Sequence, residues 1–321
     1  MKITRFCPAK VNLFLEVCGK RPDGYHELAT LFAKINFGDT LSVDATPAPQ
    51  TEITLKVTGP VGKMLKSDET NLACRAARAF LEHFKLSARI DMTLDKHTPT
   101  GAGLGGGSSD AAGVILALCE IFGKDKNELL PACAKLGADV PLFMYEETFL
   151  KGEGIGEKLT PVPAGGPLPW LVLAYPNTVV PTKGVFARLK LPDQQTVLTN
   201  RSNLDKLITY LRCASSLAGW KHLLFNRLEE CVVPFTNSVR NVLLDLRKTN
   251  TDAVLMSGSG STVFALVETE KDAKNLVRKL QNKERTVFFT TFHRSLTNEN
   301  YGNKDTSYGR GSPKGVCQRD V

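Results

Sequence analysis

The chain has 321 residues, 42% of them apolar and 23% charged, with a net charge of +8 at neutral pH. That length and composition suit a folded protein with a substantial core and room for two domains, and exclude a disordered or fibrous chain. The basic residues are scattered, with no run of five and no interleaved aromatic platform, so no nucleic-acid surface is indicated and small anionic ligands account for the charge. In chain order, residues 11–17 read as an apolar strand. Asp23-Gly24 marks a turn, and strands are expected at 28–37 and 40–46. Residues 51–58 alternate, with Ile53, Leu55 and Val57 on one face and Glu52, Thr54 and Lys56 on the other. Leu72, Ala76, Phe80 and Phe84 recur every fourth residue and predict a helix over 71–84. A strand is expected at 89–94, an apolar helix at 111–122 and another helix at 126–136, stopped by Gly137. A second portion starts near residue 150. It has a strand at 170–175, helices at 203–217, 221–232 and 238–247, strands at 253–256 and 262–267, a helix at 271–281 and a strand at 286–292. This order predicts an α+β protein of two domains, 1–150 and 151–294. Residues 295–321, rich in Asn, Gly, Ser and Lys, are expected to form a flexible tail.

Eight cysteines include no Cys-x-x-Cys pair, and the five histidines show no metal-ligand spacing. Free thiols in a reducing compartment and no metal-ligating residues are therefore expected. No apolar stretch reaches the length of a membrane span. Met1 leads directly into strand-like sequence with no signal or transit segment, so a cytoplasmic protein without membrane association is expected.

The most informative stretch is Thr100-Gly-Ala-Gly-Leu-Gly-Gly-Gly-Ser-Ser-Asp-Ala-Ala112. Its glycines let the backbone approach a ligand closely, and the helix behind them offers unpaired N–H groups and a positive dipole end. Together these make an anion site suited to phosphate. Gly101, Gly103 and Gly106 fit the dinucleotide fingerprint, but its acidic partner would be Glu120, which lies late in the helix itself. A P-loop needs a lysine where Gly107 is followed by Ser108-Ser109. A close strand-to-helix turn needs fewer glycines. The remaining reading is a different nucleotide loop, running from Pro99 to Ala111. Ser108 is then either a helix N-cap or a phosphate contact.

Lys10, inside an apolar strand, reads by itself as a snorkelling surface residue. Asp139 in Gly137-Ala-Asp-Val-Pro141 reads as a helix N-cap. Taken with the glycine stretch and three more segments, they carry more. Pro8-Ala-Lys-Val-Asn-Leu-Phe-Leu15, Arg21-Pro-Asp-Gly-Tyr-His-Glu27, Pro99 to Ala112, Gly137 to Pro141 and Met256-Ser-Gly-Ser-Gly-Ser-Thr-Val-Phe264 occur in that order. The chain resembles the GHMP kinase superfamily over about residues 2–294. The segments 8–15 and 21–27 point within it to kinases of a cytidine diphosphate-linked methylerythritol.

The resemblance implies a two-domain GHMP fold. The N-terminal, ATP-binding domain combines a sheet with helices and a left-handed βαβ unit, and the C-terminal domain is ferredoxin-like. It implies transfer of the ATP γ-phosphoryl group to the 2-hydroxyl of the methylerythritol moiety, with Mg²⁺ as a further cofactor and a small-molecule substrate. Lys10 and Asp139 would be the catalytic pair. ATP would be held by Pro99, Gly101, Gly103, Leu104, Gly105, Gly106, Gly107, Ser108 and Ser109, with Asn71 and Lys96 near the adenine. The substrate would be held by Asn12, Tyr25, His26, Thr182, Phe186, Gly258 and Ser259, the base stacking between Tyr25 and Phe186. Phe186 also reads as core, and the Gly258 loop by itself as a plain connection. A GHMP kinase for mevalonate, homoserine or a sugar is the alternative. No nucleic-acid or membrane partner is expected, and a monomer or weak homodimer is.

Overall fold

Two long strands carry the start of the chain. β1 (Lys2–Lys20) runs antiparallel to β2 (His26–Pro47) along its whole length. The expected Asp23-Gly24 turn joins them, with Tyr25 N donating to Asp23 Oδ1 at 3.1 Å and Gly24 at φ +86°. The computed structural model describes residues 1–294 except 63, 64, 250, 252 and 283; the tail expected at 295–321 lies outside the described residues.

The strands expected at 28–37 and 40–46 are one strand. Pairing continues through Gly38, which packs so closely on Cys7 that a Cβ there would lie 2.1 Å from the Cys7 carbonyl oxygen. β2 then pairs with two partners in turn. Residues 40–47 meet β4 (Ala88–Asp95), and residues 28–33 meet β5 (Phe149–Gly154), which pairs with β6 (Lys158–Val162). β3 (Glu52–Thr58) lies parallel to β4, so α1 (Leu72–Phe84) closes a βαβ unit. β8 (Phe225–Asn226) joins the far edge beside β1, giving the order β3-β4-β2-β1-β8. A second sheet has the order β11 (Thr286–Thr290), β7 (Trp170–Tyr175), β10 (Val263–Val267), β9 (Val254–Met256), with antiparallel neighbours. With helices between β7 and β9, and α9 (Glu270–Leu280) between β10 and β11, this is the expected ferredoxin-like arrangement.

β1 is buried on both sides, which is why residues 11–17 are apolar on both faces rather than alternating, apart from the buried Asn12 and Glu16. α1 and α2 (Gly106–Phe122) cover one face of the first sheet, packing Phe80, Ile115 and Leu118 with Leu41, Ile90 and Leu94. On the other face Val11, Leu13 and Leu31 meet Leu204, Leu207 and Ile208 of α5 (Gln194–Arg212) and Leu171 and Leu255 of the second sheet. Burying each such side chain contributes about 1.5–3 kcal/mol.

In the second portion of the chain, two helix expectations need correction. α5 begins at Gln194, well before residue 203, because Asp193 caps it by accepting from Thr196 N at 2.8 Å. Residues 221–232 are not one helix. A 3₁₀ turn, Lys221–Leu223, leads into β8 and then the short α7 (Glu229–Val232). Asn226 is drawn into tertiary hydrogen bonds that a continuous helix would forbid. Among the described residues no helix is long and apolar enough to cross a membrane.

Candidate active site

A cleft of about 1420 Å³ lies where the glycine stretch, β1, the β1–β2 turn and the loop after β9 converge. Gly101, Gly103 and Gly105 have φ of +64°, +76° and +69°, the left-handed region that favours glycine. Gly103 is the most constrained, since a Cβ there would lie 2.1 Å from the Ser257 carbonyl oxygen. Ser257 Oγ donates to the Gly103 carbonyl at 2.9 Å, and Thr262 N donates to the Ala102 carbonyl at 3.1 Å, so the glycine loop is docked on the connection between β9 and β10.

α2 starts at Gly106 rather than at 111. Gly105 is its N-cap, so Ser108 does not cap the helix. The first satisfied helical amide is that of Ser109, which donates to the Gly105 carbonyl at 3.0 Å. The N–H groups of Gly106, Gly107 and Ser108 therefore have no intrahelical acceptor, and they stand at the positive end of a 17-residue helix. All three residues line the cleft. Ser109 does not; it is 1% exposed, and its Oγ has no hydrogen-bond partner among the described residues.

Lys10 is 4% exposed, not a surface lysine. Its Nζ donates to Asn12 Oδ1 at 2.8 Å and lies 3.6 Å from Asp139 Oδ2. Its position is fixed at the backbone, where Lys10 N donates to the Leu104 carbonyl at 2.9 Å. Asn12 is oriented in turn, its Nδ2 donating to Thr30 Oγ1 at 2.9 Å. Asp139 does not act as a helix cap. The short turn Pro141–Met144 is preceded by Val140, and no side chain caps it. The carboxylate, 32% exposed, is left free to face Lys10 and the cleft.

Lys96 also reaches the cleft, but its ammonium is fully engaged. It lies 2.5 Å from Asp39 Oδ2 and 2.5 Å from Asp110 Oδ2, beneath the first turn of α2. The two carboxylates outweigh the burial that would lower its pKa and carry it above the ordinary lysine value. Burial, with Asp39 adding, pushes Asp110 up to about 7 against the opposing effect of Lys96. Asn71 caps α1, its Oδ1 accepting from Ala73 N at 3.0 Å and its Nδ2 donating to the Lys66 carbonyl at 2.9 Å.

At the other end of the cleft, Tyr25 is 60% exposed at the β1–β2 turn. His26 stacks on Phe186, with centroids 4.9 Å apart and planes at 27°. One face of Phe186 is thus covered by His26, while its ring also borders the core. Burial, helped by nearby Lys20, lowers the His26 pKa and keeps the ring neutral near pH 7. Thr182, at the start of α4 (Thr182–Arg188), and Ser259 share a hydrogen bond of 2.8 Å between hydroxyls. Gly258 sits so near the lysine that a Cβ on it would be 3.2 Å from Lys10 Nζ.

Apart from Ser109, every site residue expected from the sequence lines this one cleft. Sequence reasoning missed Thr30, Asp39 and Asp110. Only Asp110, directly after Ser108-Ser109, carried a local signal. The other two act across the sheet.

Two family models match, the GHMP kinases N terminal domain over residues 71–147 and the GHMP kinases C terminal over residues 206–285. The chain is 36% identical to a 4-diphosphocytidyl-2-C-methyl-D-erythritol kinase of Citrifermentans bemidjiense, over 87% of this chain and 94% of that protein. It is 33% identical to the protein of the same name from a Geobacillus species, over 88% and 93%. A solved 4-(cytidine 5'-diphospho)-2C-methyl-D-erythritol kinase superposes with a TM-score of 0.70 at 33% identity, over 90% of this chain and 99% of that one. A homoserine kinase from Cytophaga hutchinsonii superposes as well, TM-score 0.71 over 92% and 96%, but at 18% identity it is a likeness of fold alone.

Proposed function

From the fact that this chain belongs to the GHMP kinases, in the family of 4-diphosphocytidyl-2-C-methyl-D-erythritol kinases, we infer that it phosphorylates that diphosphocytidyl alcohol with ATP. The acceptor is the 2-hydroxyl of the methylerythritol moiety. Its oxygen attacks the γ-phosphorus, the bond from that phosphorus to the β–γ bridging oxygen breaks, and ADP leaves. Asp139 accepts the hydroxyl proton. Lys10, 3.6 Å away, holds that carboxylate in place and stabilises charge on the transferred group. The free amides at 106–108 grip the phosphates without needing a side-chain cation.

Mg²⁺ bound with the nucleotide would neutralise developing phosphate charge. The chain fits an ion held mainly by phosphate oxygens and water. The described residues hold no group of three or more His, Cys, Asp or Glu side chains suited to a metal, and Ser108 is an oxygen donor facing the cleft beside the free amides. Asn12 orients Lys10, while Tyr25, His26, Thr182, Phe186, Gly258 and Ser259 would hold the cytidine diphosphate end.

The observation that carries this reading is the Lys10–Asp139 pair standing beside the unsatisfied start of α2 in one cleft. Coupled ADP release tests it, with the diphosphocytidyl alcohol offered beside mevalonate, homoserine and galactose. The diphosphocytidyl compound should win by about 10²-fold or more in kcat/KM. Faster turnover of any of the other three would overturn the assignment.

A further inference from the structure

Asn226 lies outside the cleft, is 4% exposed, and makes three hydrogen bonds. Its Nδ2 donates to the Met256 carbonyl at 2.7 Å and to the Gly258 carbonyl at 2.8 Å. Its Oδ1 accepts from Leu228 N at 2.9 Å, which settles which end of the amide faces which partner. Glu229 completes the hold, Oε1 accepting from Met256 N at 2.8 Å. Asn226 itself is pinned to the first sheet through its β8 pairing with Leu15.

The consequence concerns one peptide unit. The 258–259 bond is trans, so its carbonyl and its N–H point in opposite directions. With the Gly258 oxygen turned outward to Asn226, the Ser259 N–H is turned the other way. Gly258 and Ser259 both line the cleft, and neither amide donates to an acceptor among the described residues. That N–H stands in the loop that packs against Lys10 and Asn12. An amide so placed suits an anionic oxygen.

We propose that Asn226 is a positioning residue that turns the Gly258–Ser259 peptide so that its N–H meets the diphosphate of the substrate. The neutral amide matters, because only an NH₂ group satisfies both carbonyls at once. A carboxylate there would repel both and favour a flipped peptide, with a carbonyl oxygen facing the ligand's phosphates. This assignment deepens the functional reading above and rests on it.

The test compares two probes, cytidine and cytidine 5'-diphosphate, by calorimetric titration of the full chain. They differ only in the phosphates. The wild-type protein should bind the diphosphate more tightly. In Asn226→Asp that preference should shrink by about ten- to hundredfold, the effect expected from losing a hydrogen bond to a charged group. Cytidine and a non-hydrolysable ATP analogue should bind as before, and the analogue also reports that the cleft is folded. In turnover, KM for the diphosphocytidyl substrate should rise far more than KM for ATP. Asn226→Ala decides the matter if the aspartate variant does not fold, and should show the same loss of preference. An unchanged preference in a folded variant, or equal weakening for cytidine and its diphosphate, overturns the proposal. A wild-type protein that ignores the diphosphate group would refute the functional reading and the inference with it.

Discussion

Two buried lysines reach the same cleft, and they are held in opposite ways. Lys96 sits between two carboxylates at 2.5 Å each, and its ammonium has little left to offer a ligand. Lys10 has one carboxylate at 3.6 Å, itself a third exposed, and one amide oxygen at 2.8 Å. A saturated cation fastens structure, here β2, the strand-end residue 96 and α2. An under-satisfied one next to a free carboxylate can respond to charge that arrives and moves. On the proposed mechanism, the difference separates a lysine that fastens the start of α2 from one that acts on the ligand.

The largest expected effect breaks the working pair. Asp139→Asn should lower kcat by about 10²–10⁴ while a non-hydrolysable ATP analogue still binds; single-turnover rates near wild type would remove Asp139 from the mechanism. The matching change on the other side is Lys96→Met. It strands two buried carboxylates and should cost about 3–5 kcal/mol of stability, read by denaturant unfolding. Lys10→Met should do the reverse, losing turnover with a smaller loss of stability, and equal stability losses for the two lysines would erase the distinction. Tyr25→Ala should weaken binding of the cytidine substrate by about 1–3 kcal/mol through lost stacking, with little change for ATP. Equal effects on both ligands would show that Tyr25 does not stack on the base.

A further effect is one of pH. The Asp110 carboxyl holds its proton to about 7 in the folded chain, chiefly through burial, whereas an unfolded aspartate releases it near ~4. The folded state thus binds more protons in between. This contribution to stability is complete below the unfolded value and is lost as pH rises through the folded one. Stability measured at increasing pH across that window should fall more in the wild-type chain than in Asp110→Asn; identical slopes would contradict it.

Much of the site was legible because its signals are local. The run of glycines permits left-handed backbone without steric cost, and Gly101, Gly103 and Gly105 adopt it. The helix behind them was readable, yet its start was not. Gly106 and Gly107 have poor helix propensity, and they form the first turn in a chain whose preceding loop is held at Ala102 and Gly103 by Thr262 and Ser257. Residues 221–232 misled for the converse reason. Their pattern suits a helix, but Asn226 gains more from β1 and from the carbonyls of Met256 at the end of β9 and Gly258 just beyond it.

By itself the amino-acid sequence determined the glycine cradle, the α+β order of elements and the candidate pair Lys10 and Asp139, because glycine content, hydrophobic period and short motifs act within a few neighbouring residues. Tertiary structure alone decided which lysine is saturated, where α2 begins, what His26 stacks on and which way the 258–259 peptide turns. Lys96 and Asp39 are 57 residues apart, and Asn226 and Gly258 are 32 apart. Such pairings exist only after strand register and sheet packing have brought distant groups out of water and into contact, where an unpaired charge or amide is costly enough to select one arrangement.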